Sequence, residues 1–341
     1  MIFRPATDPD LAGFMPLLVP DPASPLTAGQ YQIRSGSHEY RPEWTWIAQE
    51  DADAPPAAAA VFWGDPQAAF PAALDGLFLR ETGRRRGRAD MVGLAAGLLT
   101  AAHRAFAAAG ADQPPPFHIF LPADWHDRPD VTAVLAWRGE AARQAGLTER
   151  LERLQYTWTP AAGLREPSRR LSFRGEPDDE TFAALFQRVL AGTLDATSRQ
   201  GAEAIGLDAQ ARKDLAFYRD HMHGPRSWWR VAQTQDGQIA GFGIPSRNTE
   251  DPVVGYLGVL PEHRGHGFVG EILAEVTRVL AVEAGATLIR ADTDLDNRPM
   301  AAAFDRAGYR NTGRRLVLSA RARAVPAQAD PARSGPAQGP A

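Results

Sequence analysis

In the second half of the chain, apolar positions recur with a helical period in some segments and with a strand period in others. Residues 269–280 carry apolar side chains at spacings of three and four, which predicts an amphipathic helix. Residues 238–244 and 253–259 have the composition of strands, and Gln235-Asp236-Gly237 is typical of a hairpin turn. From about residue 170 to residue 319 the predicted order is α-α-β-β-β-α-β-α-β.

The first half repeats this order more loosely. An arginine followed three residues later by glycine stands five positions after an apolar strand twice, at Arg84 and at Arg264. The helix endings Ala145-Gly146 and Ala307-Gly308 form a second matched landmark. Two landmarks in the same order indicate a duplication. The first half is predicted to hold strands at 44–49, 58–63, 75–79, 117–121 and 152–159, with helices at 91–109 and 130–145.

Composition sets the limits of the function. A length of 341 residues favours two domains, and a net charge of -4 does not suggest a nucleic-acid surface. The absence of cysteine excludes disulfides and thiolate catalysis. No apolar run approaches the length of a membrane span, so we expect a cytoplasmic protein with no membrane partner. We predict domains at 1–162 and 168–319, and a disordered tail at 320–341 that is rich in Ala, Pro and Gly.

The loop that begins at Arg264 has the features of an anion site. Gly265 and Gly267 let the backbone turn sharply between a strand and a helix, where N–H groups and the helix N-terminus favour phosphate. Arg264 can supply charge or brace the loop. Taken alone, this pattern is equally typical of a tight turn before a helix.

The surrounding residues resemble a known family. Gly258-Val259-Leu260-Pro261-Glu262-His263-Arg264-Gly265-His266-Gly267 resembles motif A of the GNAT N-acetyltransferase superfamily. Asn297, Met300, Phe304, Gly308 and Tyr309 resemble its motif B. The resemblance implies an α/β fold of two GNAT-like domains, each a mixed, mostly antiparallel sheet flanked by helices. The C-terminal copy should have a splayed central strand pair, and the first copy should be degenerate.

The resemblance also implies acetyl-CoA as co-substrate, without a metal. The main chain of Leu257, Gly258 and Val259 would pair with the pantetheine arm. Asn297 would lie near that arm, although a helix-capping role is equally consistent with its position. The pyrophosphate would lie on the loop formed by Arg264, Gly265, His266, Gly267, Phe268, Val269 and Gly270.

Acid and base groups are harder to assign. Phe304 occupies the position where many members of the family have a tyrosine as the acid. Tyr256 is the only titratable side chain on its strand, and packing is the commoner role for such a residue. Asp292 and Asp294 share a face with Arg290 if their strand extends that far; otherwise they are solvated loop residues. Asp292 is the first candidate for holding or deprotonating the acceptor amine.

The predicted function is acetyl transfer to a primary amine of a small molecule by direct attack on the thioester. A non-catalytic acyl-CoA-binding protein is the first alternative, because Phe304 replaces the usual acid. Acyl transfer to a protein amine is the second.

Overall fold

The structure is a computed structural model that describes residues 1–80 and 87–321. The arginine-rich loop at Arg84–Arg86 and nearly all of the predicted tail therefore lie outside the described residues. The strands are β1 (Ile2–Pro5), β2 (Thr45–Gln49), β3 (Ala58–Trp63), β4 (Ala73–Leu79), β5 (Phe117–Leu121), β6 (Glu149–Trp158), β7 (Leu171–Arg174), β8 (Arg230–Thr234), β9 (Ile239–Arg247), β10 (Pro252–Val259), β11 (Ile289–Asp294) and β12 (Arg310–Ser319).

The helices lie between these strands, and several begin at a side chain that caps them. Asp178, for example, accepts hydrogen bonds from the N–H groups of Glu180 and Thr181 at the start of α5. A short π-helical segment, Val279–Glu283, continues α8. The α-helices are α1 (Leu11–Phe14), α2 (Ala28–Gly36), α3 (Arg88–Ala108), α4 (Pro129–Gln144), α5 (Asp179–Leu190), α6 (Ala196–Ile205), α7 (Leu207–Asp220), α8 (Phe268–Arg278) and α9 (Arg298–Arg306).

The twelve strands of the described residues form one sheet, because the two halves of the chain exchange their last strands. The strand order is β1-β2-β3-β4-β5-β12-β6-β11-β10-β9-β8-β7. β6, from the first half, pairs with β11, while β12, the last strand of the second half, pairs with β5. The predicted boundary near 160–167 falls between β6 and β7, and the strands on either side of it belong to the same sheet.

Helices cover both faces of this sheet. Helices α3, α4, α8 and α9 pack on one face, and α1, α2, α5 and α7 pack on the other. The register of β6 and β12 places Leu316, from the core under α3, and Leu154, from the core under α8, on the same face. Equivalent helices of the two halves therefore lie on the same side, as a duplication requires.

The predicted element order is confirmed, and the differences lie mostly at amphipathic or short segments. Sequence analysis missed β1, α1 and α2 in the first half, and β7 and α6 in the second. β11 extends to Asp294, so the alternative that this strand ends at Ala291 is wrong. The splayed pair predicted only for the C-terminal copy occurs in both halves, since β4 and β5 are in register only at Leu74 and Phe117.

Helix α3 corrects one expectation about membrane-spanning length. Its 21 residues are long and apolar enough to cross a membrane by length and composition alone. Half of the apolar window is buried inside the structure, where Leu98, Leu99 and Ala102 contribute to the core against β1–β4. It is the only helix of the described residues that meets this test.

In the first half, an arginine closes the space between the splayed strands. Arg138 of α4 is 1% exposed and donates to the carbonyl oxygen of Leu77 on β4 at 2.9 and 3.2 Å. Its other hydrogen bonds go to both carboxylate oxygens of Asp21, at 2.6 and 2.9 Å. Because these partners satisfy the buried guanidinium, Arg138 holds α4 against β4.

Replacing Arg138 with alanine should destabilise the fold strongly. The substitution leaves Asp21 and the Leu77 carbonyl without their donor, and breaking a largely buried pair of this kind costs about 3 kcal/mol. Denaturant unfolding measures the change. Arg143→Ala is the matched control, because Arg143 forms an exposed pair with Glu140 on the same helix and should change stability little. Equal effects of the two substitutions would contradict the buried role of Arg138.

Candidate active site

The candidate site of the second half is the opening between β10 and β11. The two parallel strands are in register only at Val253 and Arg290 and then diverge. β10 lies between two other strands, yet seven of its eight residues are only partly buried. A central strand with this exposure has backbone groups open to an extended ligand along one edge, which is the geometry of recognition by strand-like pairing.

The loop after β10 contains a row of N–H groups without protein acceptors in the described part of the chain. Gly265 and Gly267 have φ values of +82° and +78°, a region that favours glycine. Gly267 is the N-cap of α8, and a Cβ on Gly265 would meet no atom within 4 Å. Among the described residues, no acceptor takes the N–H groups of Gly265, His266 or Gly267. The first turn of α8 adds Phe268 and Val269, whose N–H groups have no partner within the helix.

The side chain of Arg264 braces this loop. Its guanidinium donates to the carbonyl oxygens of Val259 at 3.1 Å, Val189 at 2.8 Å and Ala191 at 2.9 Å. The last two carbonyls belong to the end of α5, so the arginine ties the loop to that helix. Of the two roles left open by the sequence, the structure shows bracing. A different cation, Arg170, lies at the loop, where it donates to the His266 carbonyl oxygen at 3.1 Å.

Two other predicted residues lie on or beside α9. Asn297 is its N-cap, and its side-chain oxygen accepts from the N–H of Met300 at 3.4 Å. Phe304 is buried and stacks on Tyr156 of β6, with ring centroids 4.9 Å apart. Burial raises the pKa of the Tyr156 phenol to about 12, and nearby Asp305 adds to this shift. The position of the usual acid is therefore occupied by an apolar stack.

Tyr256 lies beside the bulge of β10, on the face covered by α5 and α7. Gly255 is the extra residue of the bulge, because Val254 and Tyr256 face consecutive residues of β9. Tyr218 of α7 donates its hydroxyl to the Gly255 carbonyl oxygen at 2.9 Å. Tyr256 contacts Phe186 and Phe242, and burial raises the pKa of its phenol well above the ordinary value. It stays protonated at neutral pH, in a packing position.

The two predicted aspartates belong to a group of charges contributed by three adjacent strands. Arg153 of β6 faces Asp294 of β11 on one side and Arg315 of β12 on the other. Arg153 contacts Asp292 at 3.0 Å and Asp294 at 3.3 Å, and Arg315 forms a close ion pair with Asp292. Asp195, the N-cap of α6, contacts Arg153 at 3.4 Å. We call these five residues the central charge cluster.

The two aspartates differ in protonation chemistry. Burial alone would raise the pKa of the Asp292 carboxyl, but the guanidiniums of Arg315 and Arg153 outweigh it and hold the pKa below its usual value. Asp294 is deeper, with 3% of its side chain exposed, and burial raises the pKa of its carboxyl in spite of Arg153. The N–H of Ala196 donates to Asp294 at 2.6 Å. Asp292 is therefore ionised at neutral pH and is held by its ion pairs with Arg153 and Arg315.

A fourth carboxylate, Asp214 on α7, was not singled out from the sequence. Gln210 donates to one of its oxygens at 2.7 Å, while the other oxygen is buried and has no partner among the described residues. Burial raises the pKa of this carboxyl to about 6. One helical turn later stands Tyr218, whose hydroxyl lies within electrostatic reach of Asp214, Asp195 and Asp292. Asp214 thus faces the same side of the β10–β11 opening as the central charge cluster.

Sequence reasoning missed Arg153, Arg315 and Asp214 for different reasons. Arg153 and Arg315 are partners of Asp292 only because β6 and β12 enter the centre of the sheet, and no local pattern reveals that exchange. Asp214 lies in a predicted helix, four residues before Tyr218. An acidic residue on an otherwise apolar helix face is a signal that could have identified it. No group of three or more potential ligands in residues 1–80 and 87–321 is placed to hold a metal ion.

The candidate site thus combines splayed strands, a turn with exposed N–H groups and carboxylates on the opposite face. Residues 172–310 match the family model described as the acetyltransferase (GNAT) domain. The chain carries a GNAT acetyltransferase domain, and the recognition made from motifs A and B is confirmed.

Solved structures share the fold over almost the whole chain. The GCN5-related N-acetyltransferase of Sphaerobacter thermophilus has a TM-score of 0.56 and 17% identity, covering 93% of this chain and 94% of its own. A tandem GNAT protein from the clavulanic acid biosynthesis pathway has a TM-score of 0.50 and 18% identity, covering 96% and 99%. Both halves together therefore have the tandem GNAT fold.

A third solved structure also shares the fold. The glucosamine N-acetyltransferase region of a fungal multi-domain β-N-acetylglucosaminidase has a TM-score of 0.54 and 15% identity, covering 93% of this chain and 38% of its own. A search of curated protein sequences finds no match.

Substituting Gly267 with aspartate should abolish CoA binding. A side chain at φ +78° strains the turn, and its carboxylate adds negative charge where the N–H groups point. Titration calorimetry with CoA measures the affinity. Gly237→Asp is the matched control, because Gly237 has φ +83° in the hairpin between β8 and β9. We expect the control to bind CoA normally; normal binding by Gly267→Asp would remove the loop from the site.

The Asp214 carboxyl should make the stability of the protein depend on pH. Its pKa rises from 3.8 in the unfolded chain to about 6 in the fold, so the folded state binds the proton more tightly. This contribution is fully present below about pH 4 and is lost as the pH rises through about 6. Between pH 4 and pH 7.5, the free energy of unfolding of Asp214→Asn should therefore fall about 1–2 kcal/mol less than that of the wild type, after allowance for partial exposure.

Denaturant unfolding at the two pH values measures this difference. Parallel pH profiles for the two proteins would mean that Asp214 titrates as an ordinary exposed carboxyl.

Proposed function

We propose that the second half transfers an acetyl group from acetyl-CoA to a primary amine of a small molecule, by direct attack of the amine on the thioester. The observation that carries this proposal is the half-exposed central strand β10, which is in register with β11 at one position and leads into a loop of unpartnered N–H groups. A pantetheine arm fits the first feature and a pyrophosphate fits the second.

Different residues of the site suit different parts of this cofactor. The main chain of Leu257–Val259 is available along the opening, and its N–H groups can polarise a thioester carbonyl. The loop from Gly265 to Val269 suits the pyrophosphate through backbone groups, with Arg264 as a brace and Arg170 as the nearby cation. Gly270 lies in the first turn of α8 with open space around its Cα.

The opposite side of the opening suits a cationic acceptor. The central charge cluster and Asp214 together contribute four carboxylates against two guanidiniums. An excess of buried negative charge favours an ammonium ion at this position. Because the carboxylates lie between α6, α7 and the sheet, a compact amine reaches them more readily than the side chain of a folded protein.

The acceptor must lose a proton before it attacks, and Asp214 is placed to take it. An alkyl ammonium has a pKa near 10, so a nearby base lowers the cost of forming the neutral amine. Asp292 and Asp294 both lie in ion pairs with Arg153, whereas Asp214 forms no ion pair among the described residues and one of its oxygens takes no hydrogen bond. Asp214 takes the proton that the ammonium loses before attack. As the N–C bond forms and the C–S bond breaks, the second amine proton passes to the departing sulfur, whose thiol pKa is about 8.5, so no proton from the position of Phe304 is needed.

Release of free CoA thiol from acetyl-CoA across a panel of small amines tests the proposal. Cationic primary amines should be acetylated, and lysine-containing peptides should not. Acetylation of peptides alone would favour the protein-amine alternative. CoA binding without turnover on any amine or peptide would contradict the proposed transfer.

Substitutions at Asp214 and Asp292 should affect the pH dependence of turnover differently. Asp214→Asn should lower kcat/KM by about 100-fold and remove the acid limb near pH 6, because general-base catalysis is lost. Asp292→Asn should also lower turnover but keep the limb, because it leaves Arg153 and Arg315 without their shared anion. Steady-state pH profiles and CoA titration check both. CoA affinity should stay unchanged in each variant, and an acid limb retained by Asp214→Asn would exclude it as the base.

A further inference from the structure

The first half contains a cavity of about 240 Å³ on the face covered by α2. Its walls come from α2 and the segment before it, from β3, β4 and β5, and from the exchanged strand β12. The side chains that matter for its chemistry are Arg34, Tyr40, Trp63, Asp75, His118 and Arg315.

This cavity corresponds to the acceptor side of the second half. Asp75 is the extra residue of a bulge in β4, because Leu74 and Gly76 face consecutive residues of β3. Gly255 occupies the same place in the bulge of β10. In both halves the bulge lies beside a pair of strands that splay, and in both it faces the helices of the same side of the sheet. The first half therefore has a carboxylate where the second half has a glycine.

The cofactor side of the first half is closed, although its acceptor side is open. Arg138 occupies the space between β4 and β5 from the opposite face and is held there by Asp21. A cavity that persists without a place for the pantetheine arm can bind a ligand but cannot acetylate it with its own cofactor.

Two groups in the cavity can accept hydrogen bonds from a ligand. Asp75 accepts from the Tyr40 hydroxyl at 2.8 Å through one oxygen, and Arg34 lies 3.6 Å from the same oxygen. Its second oxygen takes no hydrogen bond from any described residue. Burial and the charge of Arg315 lower the pKa of His118 to about 3, so its imidazole is neutral. His118 likewise has no hydrogen bond within the described part of the chain.

The charges around the cavity favour a cation. Arg34 and Arg315 are each paired with an acid, Glu250 and Asp292 respectively. Asp75 and the buried Glu39 add two further carboxyl groups, and burial raises the pKa of the Asp75 carboxyl. A buried carboxyl of this kind gains from a cationic partner, because the cation stabilises its ionised form.

We propose that this cavity binds a small organic ammonium ion, which donates to Asp75 and His118 while its hydrocarbon part contacts Trp63 and Phe120. Aromatic walls suit such a ligand because they pack against its carbon atoms and attract the charge. The site is distinct from the proposed acetylation site, and one ion pair, Arg315 with Asp292, separates the two. The ammonium group can belong to a separate amine or to the distal end of a long acceptor.

Titration calorimetry with phenethylammonium chloride tests this site on the full chain without acetyl-CoA. We expect binding in the millimolar range or tighter, and no binding of phenylacetate, which has the same ring and the opposite charge. Asp75→Asn keeps the size of the side chain and should weaken binding at least tenfold. Asp236→Asn, in an exposed turn, is the control and should bind as the wild type does. CoA affinity and circular dichroism report whether Asp75→Asn is folded.

Three results would overturn the proposal: no binding of phenethylammonium, unchanged binding by folded Asp75→Asn, or loss of binding only in Asp214→Asn, which would place the amine in the second half. A titration with 1,8-diaminooctane distinguishes a separate amine from the distal end of a long acceptor. One diamine per chain, weakened by both Asp75→Asn and Asp214→Asn, supports a long acceptor; two per chain support a separate amine. Because no step requires turnover, failure of the acetylation assay leaves this result interpretable.

Discussion

The pairing of β6 with β11 and β12 determines much of what is distinctive in this molecule. It places Arg153 between Asp294 and Arg315, in the middle of a sheet where unpaired carboxylates would be costly. The strand that carries Arg153 belongs to the first half, while the aspartates belong to the second. The acidic residues beside the proposed site therefore share an arginine of the first half, in addition to Arg315 of the second. This pairing gives the first half a structural role at the candidate site of the second.

The same pairing gives the two faces of the sheet separate tasks. One face holds α8, α9 and the loop with free N–H groups, where the cofactor is expected. The other face holds the charges, Tyr218 and Asp214, where a cationic acceptor is expected. In the proposed reaction, the acceptor and the thioester meet at the opening between β10 and β11. In the first half Arg138 blocks the corresponding opening from the cofactor face, and the cavity on the other face persists.

Most helices and strands, and the loop at Gly265–Gly267, could be predicted from the sequence, because they depend on local periodicity and on glycine at positions of positive φ. The bracing role of Arg264 and the capping role of Asn297 were each one of two alternatives that the sequence left open. The environment of Asp292 could not be predicted, because it depends on which strands become neighbours. Asp214 was overlooked because burial, which raises its pKa, is a property of the packed helix α7 and of Gln210. Helix α6 and strand β7 were missed because each is short and carries few apolar residues.

The position of β12 has a consequence for synthesis. This strand includes the last described segment of the chain, and it must enter between β5 and β6, which are made much earlier. Until it arrives, β5 presents an open edge to its surroundings, so the first half cannot complete its sheet before β12 has been made. Pairing of strands so distant in sequence is slow, and a nascent chain with an exposed edge is prone to association. Folding of this protein is thus shared by its two halves, since neither completes its sheet until β12 is in place.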